Sequence, residues 1–339
     1  MWRVYGQDHL LKQLEPGLKS GRLAHAYLLV GPPRVGKMAL ALALAQAVNC
    51  LQGPGTPCGD CNQCRRIAQR HHADLRVIGV ARSEENGPTR TVIGIADVKD
   101  ALHQANLKPF EGACSIIIFD GAELMSDEAA NALLKTLEEP PPQVLILLLT
   151  TNEDVLLSTI RSRCRRLDLL PVSKQLMTER LVAEYQADPE TAERLARLSR
   201  GCLGWAITAL GDPQIMEQRA EDLEQIREIC ESGLEGRFNY AAELATRFSR
   251  DRNATRELLF LWLRWWRDLL LIKEGTAEYA HNTDRLDQLR LQATQLSTRQ
   301  VVGFVRELLQ TIEALDRNAN PRLALEVLML NLPTARISV

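Results

Sequence analysis

The sequence predicts an α/β domain with a parallel sheet and a phosphate-binding loop (P-loop), followed by an all-helical remainder. Two continuous apolar runs, 116–119 and 144–149, end in polar residues, as expected for strands buried on both faces of a parallel sheet. Between them the sequence predicts a helix that Ser126 caps and Pro140 ends. A third predicted strand, 26–30, leads directly into a Gly-x-x-x-x-Gly-Lys pattern. A last strand of the sheet is predicted at 167–170, and beyond Pro171 the remaining segments keep helical spacing. Polar residues at the ends of parallel strands are where open α/β sheets bind ligands.

Composition limits the classes of function. The chain has 339 residues, with 41 Lys+Arg against 43 Asp+Glu and a net charge of −2, so a global polycation for nucleic acid is excluded. The longest apolar run near the end of the chain, 258–272, is interrupted by Arg264, Arg267 and Asp268, which argues against a membrane span. The beginning of the chain lacks the apolar stretch of a signal peptide. We therefore expect a cytoplasmic protein, in which eight cysteines indicate thiols or metal rather than disulfides.

The glycine-rich pattern predicts a nucleotide-binding loop. Gly31 and Gly36 let backbone N–H groups turn towards an anion, and Lys37, at the start of the next helix, would reach the outer phosphates of ATP or ADP. The pattern normally continues with Ser or Thr, whose hydroxyl binds Mg²⁺, whereas Met38 has no oxygen. Nucleotide binding and a retained loop that binds nothing both stay open, and hydrolysis at this site is not expected.

Asp120 and Asn152, which follow two predicted strands, complete the candidate nucleotide site. Asp120 lies where a carboxylate on the metal side belongs, although a solvated strand end would show the same pattern. A hydrolytic site also needs a residue that orients the attacking water, and Gly121 stands at the next position. Glu123 is expected to point elsewhere.

A second pattern predicts a structural metal site. Gaps of two residues let successive thiolates converge on one ion, and four thiolates complete a tetrahedral Zn²⁺ site without an open position. Such a site would stabilise an insertion that is poor in apolar residues. An iron–sulfur cluster or free thiols are the alternatives, and His71 or His72 could replace one cysteine. The candidate ligands are Cys50, Cys58, Cys61 and Cys64.

The C-terminal region predicts helices only. Trp262, Trp265 and Trp266 lie on a helix that is apolar nearly all round and must be buried, either in a bundle core or at a subunit seam. A polar surface loop is predicted earlier, at 82–90. The predicted C-terminal helices are 215–232, 237–249, 254–273, 284–295, 299–317 and 321–330.

Six motifs carry a family resemblance: GPPRVGK, IIIFDGAE, NALLKTLEEPP, LLTTN, RSRC and NANPRLALEVLML, in this order. With them the chain closely resembles the clamp-loader AAA+ proteins of bacterial replication over nearly its whole length, and the zinc insertion also belongs to that family. The resemblance implies an AAA+ P-loop domain at 1–167 with the zinc module at about 50–64. It further implies a three-helix lid at 168–211 and a C-terminal helical collar for oligomerisation at 212–339.

Three departures favour a member of this family that does not hydrolyse ATP by itself. A gamma/tau-type motor subunit would carry Thr after the P-loop lysine, Glu after the strand-end aspartate and an arginine in the lid. The corresponding positions hold Met38, Gly121 and Gly204. A motor subunit with an unusual loop, favoured by the retained Lys37, and a purely structural scaffold stay open as alternatives.

Arg163, in the SRC motif, is what the resemblance implies for catalysis. In this family that arginine acts in trans, on the ATP of a neighbouring subunit, where its charge offsets charge that builds on the γ-phosphate. The alternative interpretation is that Arg163 is an ordinary surface arginine in a basic run. The implied partners are gamma/tau and delta subunits in a five-membered ring, with the sliding clamp and primed DNA reached through the assembled complex of the DNA polymerase III holoenzyme.

Overall fold

The computed structural model describes residues 2–53, 55–80, 92–317 and 319–333. The predicted surface loop at 82–90 lies outside these residues. Within the described part, the chain forms two compact units, Met1–Ile207 and Thr208–Val339. The finer division into three domains stays a prediction.

The first unit contains the sheet and the helices around it. Its strands are β1 Ala26–Val30, β2 Leu75–Gly79, β3 Ser115–Asp120, β4 Val144–Thr150 and β5 Arg165–Asp168. Its helices are α1 Asp8–Ser20, α2 Lys37–Asn49, α3 Asn62–Ala68, α4 Ile95–Ala105, α5 Asp127–Glu138, α6 Ser158–Arg161, α7 Lys174–Tyr185 and α8 Pro189–Leu198, and α9, Leu203–Gly211, runs on into the second unit.

The sheet is parallel, with the strand order β2-β3-β4-β1-β5 in the described residues. All seven residues of β4 are buried, and so are all of β3 except Asp120, because apolar side chains pack on both faces of the sheet. The predicted fold class is therefore confirmed. The last strand was predicted at 167–170, but pairing with β1 places it at Arg165–Asp168, where only Leu167 is buried.

The helix after β3 begins and ends as its sequence predicts. The side chain of Ser126 accepts a hydrogen bond from the N–H of Ala129 at 3.2 Å and caps α5. Leu133 and Leu137 then pack into the core on one face of the sheet, together with Ile160 of α6. This shared core fixes the end of α5 relative to the segment after α6.

A buried carboxylate fixes the loop that precedes β3. Asp74 is 8% exposed and accepts hydrogen bonds from the backbone N–H groups of Phe110, Glu111 and Gly112, at 2.6, 2.9 and 2.7 Å. The side chain of Gln63 on α3 donates to the carbonyl of Glu111 at 3.1 Å. Asp74 thereby joins the cysteine-bearing segment to the edge of the sheet.

The second unit is helical in its described part. Trp262, Trp265 and Trp266 are at most 1% exposed and lie in its core, where the Trp266 ring is 4.5 Å from that of Phe304. The bundle-core interpretation is confirmed for these residues, and their side chains are not exposed for a subunit interface. The predicted helices form, with small shifts at their ends: α10 Pro213–Glu231, α11 Leu234–Arg250, α12 Arg252–Lys273, α13 Leu286–Gln295, α14 Thr298–Asp316 and α15 Pro321–Leu330.

Among the described residues, no helix combines the length and the apolar character that crossing a bilayer requires.

We expect Asp74→Ala to lower the free energy of unfolding by about 2–4 kcal/mol, because three backbone N–H groups lose their acceptor. Burial raises the pKa of Asp74, but the three N–H bonds outweigh it and hold the pKa below the ordinary value of 3.8. The stabilisation is therefore fully present above pH 3.8 and is lost as the pH falls through the lower folded-state pKa.

Urea unfolding at neutral pH and at a series of acid pH values measures this effect. Asp100→Ala is the control, since Asp100 is exposed and accepts one bond from Gln104 at 3.3 Å. Equal stability of the two variants at neutral pH would contradict the role given to Asp74.

Candidate functional site

The P-loop connects β1 to α2 in a conformation that needs its glycines. A Cβ on Gly31 would lie 2.8 Å from the carbonyl oxygen of Leu169, closer than real Cβ atoms approach. Gly36 precedes the first residue of α2 and has φ 114°, a value that L side chains rarely adopt. The loop therefore directs the N-terminus of α2 to the edge of the sheet, as anion-binding loops do.

Lys37 is buried and is bonded to the loop itself. Its Nζ donates to the carbonyl oxygens of Gly31 and Pro32, at 2.5 and 2.9 Å. Burial lowers the pKa of Lys37 to about 8, against the opposing charges of Glu123 and Asp120. An anion in the loop would favour the charged form of this lysine, while Met38 packs into the adjoining core and offers no oxygen to a metal ion.

Glu123 lies at this site, contrary to the expectation that it points elsewhere. Gly121 adopts φ 84° and a short 3₁₀ helix, Ala122–Leu124, turns the chain back after β3. One carboxylate oxygen of Glu123 accepts hydrogen bonds from the N–H and the hydroxyl of Thr151, at 3.1 and 2.6 Å. The other, Oε2, is buried without a hydrogen-bond partner among the described residues. The glycine after Asp120 was a signal for this turn.

The two other predicted residues at the strand ends have different surroundings. Asp120 is exposed at the end of β3, and its charge acts on Lys37. Asn152 uses its side-chain oxygen locally, since this oxygen accepts a hydrogen bond from the N–H of Asp154 at 3.1 Å. Asp120 therefore acts on the P-loop lysine through its charge, whereas Asn152 makes a capping contact.

Helix α9 packs directly on the P-loop. The N–H of Gly204 donates to the carbonyl oxygen of Arg34 at 3.0 Å, and a Cβ on Gly204 would lie 2.8 Å from the same oxygen. Trp205 and Cys202 beside it pack against the core that the P-loop helix shares. Glycine at 204 is thus required by this close approach, and a side chain as large as arginine would need α9 to move.

The four predicted metal ligands come together. The sulfurs of the cysteines all lie within 4.8 Å of one another. Cys58 Sγ accepts the N–H of Cys61 at 3.3 Å, and such bonds from Cys61 and Asp60 lower the pKa of Cys58 to about 6, which favours a thiolate. The residues of the cluster, Cys50, Cys58, Cys61 and Cys64, fit a metal ion bound by four thiolates.

The histidines near this cluster are not part of it. His72 is 4% exposed, its Nδ1 accepts the N–H of Asp74 at 3.0 Å, and its Nε2 contacts Gln63. His71 is exposed. In the described part of the chain, the compact group of possible metal ligands contains only cysteines, so neither histidine replaces one.

Arg163 follows α6 and is held at the surface. Its Nη2 donates to Glu138 Oε1 at 2.7 Å, and its Nη1 donates to the carbonyl oxygen of Thr159 at 3.0 Å. The Arg163 side chain is 34% exposed. The next residue, Cys164, packs into the core beneath α5, which fixes the backbone at this point.

A parallel sheet with a P-loop after its first strand defines an α/β protein of the P-loop class, and α9 packs on that loop. Comparisons with known proteins show what the chain is similar to. The family model described as DNA polymerase III, delta subunit, matches residues 6–173. The chain is therefore similar to subunits of DNA polymerase III.

Two curated relatives show how far the similarity extends. DNA polymerase III subunit delta' of Bacillus subtilis (strain 168) is 27% identical over 326 residues, which cover 96% of each chain. DNA polymerase III subunit tau of Escherichia coli (strain K12) is 37% identical over 230 residues, which are 63% of this chain and 34% of that protein.

Solved structures give matches of low identity. A gamma subunit-related protein of DNA polymerase III from Thermotoga maritima matches 91% of this chain and 99% of its own, at 19% identity and a TM-score of 0.38. The RuvB Holliday junction branch migration motor of the same organism matches 66% of this chain and 64% of its own, at 19% identity and a TM-score of 0.42.

We expect Gly204→Ala to lower the free energy of unfolding by about 1–3 kcal/mol, because the added methyl group forces α9 and the P-loop apart. Gly211→Ala, at the end of the same helix, is the matched control, since a Cβ there meets no heavy atom within 4 Å. Urea unfolding measures both. Equal stability of the two variants would show that α9 does not need this close contact.

Proposed function

We propose that the chain is a delta-prime-type subunit that does not hydrolyse ATP and that supplies Arg163 to the ATP of a neighbouring gamma/tau subunit. The observation that carries the proposal is the surface position of Arg163, ordered by Glu138 and Thr159. At its own P-loop the residues after Lys37 and Asp120 have no oxygen for Mg²⁺ and no carboxylate for water. The chain thus contributes a positive charge to ATP hydrolysis at a neighbouring subunit and does not hydrolyse ATP itself.

The mechanism follows from the chemistry of the guanidinium. It is planar and permanently charged, and it can donate two hydrogen bonds to one phosphate group. Placed at a subunit interface, it stabilises the negative charge of the transferring γ-phosphoryl group and so couples hydrolysis to ring assembly. We propose that this step releases the sliding clamp, closed around primed DNA, from a five-membered ring that also contains delta, in the cytoplasm.

The second unit is proposed as the collar through which the ring assembles. Leu323, Val327 and Leu330 are spaced along one side of α15 and are 61%, 49% and 54% exposed. Exposed apolar side chains in such a row are typical of contact surfaces. Residues 168–211 would then form the lid and residues 212–339 the collar.

A motor-type function stays a second candidate because of one observation. Lys37 lies at the start of α2 in the P-loop, where its charged side chain would donate to the phosphates of ATP or ADP. Met38 opposes hydrolysis, since it cannot hold Mg²⁺. Mg²⁺-dependent ATP turnover by the isolated chain would favour the motor over the proposed subunit, and binding without turnover would fit the proposal.

We further propose that the cysteine cluster holds one structural Zn²⁺ ion. Four thiolates with S–S separations below 4.8 Å suit the tetrahedral geometry of zinc. The ion, when bound, fixes the turns between the cysteines and takes no part in catalysis, because four protein ligands leave no open position.

Arg163→Ala tests the proposed function. In a reconstituted clamp loader with primed DNA, we expect turnover at the ATP site facing this residue to fall by about 10³-fold or more, the effect of losing an arginine finger. The substitution affects only the site that faces Arg163, so a rapid-quench experiment should lose the burst amplitude of one site. Arg161→Ala, whose side chain pairs with Asp154 at 3.2 Å, is the control. An undiminished burst in Arg163→Ala loaders would remove Arg163 from this role.

Cys61→Ser tests the metal site. We expect elemental analysis to find one zinc ion per chain in the wild type and far less in the variant, because a hydroxyl binds zinc more weakly than a thiolate. Cys114→Ala is the control, since Cys114 lies outside the cluster. Iron in place of zinc, or no metal in the wild type, would refute the assignment.

A further inference from the structure

Glu138 is the last residue of α5, and its position depends on the core rather than on its own sequence neighbours. Leu133 and Leu137 of the same helix share a core cluster with Ile160 of α6. This packing brings together two segments that are 25 residues apart in sequence, and it places the Glu138 carboxylate against the guanidinium of Arg163. The contact is therefore set by the fold and is not a chance pairing within one helix.

The guanidinium is held through its two Nη atoms. Nη2 donates to Glu138 Oε1 at 2.7 Å, and Nη1 donates to the Thr159 carbonyl at 3.0 Å and to Ser162 Oγ at 3.4 Å. Within the described part of the chain, Nε makes no hydrogen bond. These contacts leave Nε–H and one N–H of Nη2 unused, and charged N–H groups of this kind donate to phosphate oxygens. The contacts thus orient the group and leave donors for an oxyanion.

We propose that Glu138 is the positioning residue for Arg163. An arginine side chain has many rotamers, and an arginine that must reach another subunit's phosphate loses this freedom on engagement. The carboxylate restricts the rotamers beforehand. The guanidinium then lies between Glu138 and the phosphate, so the two negative groups bond to the cation and stay apart from each other. This inference rests on the proposed role of Arg163 and names the residue that prepares it.

The test uses the complete reconstituted loader with primed DNA. We expect Glu138→Ala to slow the rate constant of the burst at one ATP site by about fivefold, the effect of losing an exposed ion pair. The KM for ATP should not change, because the positioned arginine acts in the transition state. Glu138→Gln, which keeps an acceptor oxygen, should recover part of the rate. Glu139→Ala is the matched control, since Glu139 is also exposed at the end of α5.

A double variant separates positioning from a general structural effect. Glu138→Ala should slow a loader that carries intact Arg163 and should have no further effect in the Arg163→Ala loader. Additive losses, an equal loss in Glu139→Ala, or a rate in Glu138→Ala at or above the wild-type rate would overturn the inference. If Arg163→Ala slows the reaction and Glu138→Ala does not, only the positioning role fails. If neither variant slows it, the proposed function fails as well.

Discussion

The candidate site depends on the parallel pairing of the three central strands. β3 and β4 pair from Ser115↔Val144 to Asp120↔Leu149, and β1 pairs with β4 as far as Val30↔Thr150. Because parallel strands run in one direction, their carboxyl ends lie along one edge, where the P-loop, Asp120 and Thr151 meet. Apolar packing on both faces keeps this register, since a slip by one residue would exchange the faces and separate Asp120 from Lys37.

The two cationic groups of the proposed function are held in opposite ways. Lys37 is 9% exposed and donates to carbonyl oxygens of its own loop, so a phosphate has to compete with these bonds. Arg163 is ordered at the surface with part of its guanidinium unbonded. Gly204 extends the contrast, because α9 bonds to the P-loop backbone at the position where the family resemblance predicts an arginine in a motor subunit. The arrangement favours a charge directed outward over one directed at the chain's own loop.

The sequence predicted those features that depend on neighbouring residues. The spacing of the cysteines, the strands around the P-loop and the cap at Ser126 all arise from local chemistry, and the structure confirms them. The start of β5 at Arg165 was missed because it is set by pairing with β1, and polar residues at a sheet edge show no apolar pattern. The contacts of Gly204 with Arg34 and of Arg163 with Glu138 were missed because they join distant segments. Neither contact produces a periodic pattern in the sequence from which it could be predicted.

The partial exposure of the Arg163–Glu138 pair suits the proposed role better than burial would. The side chains are 34% and 52% exposed, and pairs of this kind contribute at most about 1 kcal/mol. Removing one partner of a buried ion pair lowers the stability of a protein by about 3–5 kcal/mol. Such a pair would hold the arginine too firmly for another subunit's phosphate to bind it. A phosphate that arrives in a closing interface meets less water than Glu138 does, and its attraction for the guanidinium is correspondingly stronger. A weak ion pair at the surface can therefore orient the arginine and still release it to the phosphate, provided that the interface excludes water when the ring closes.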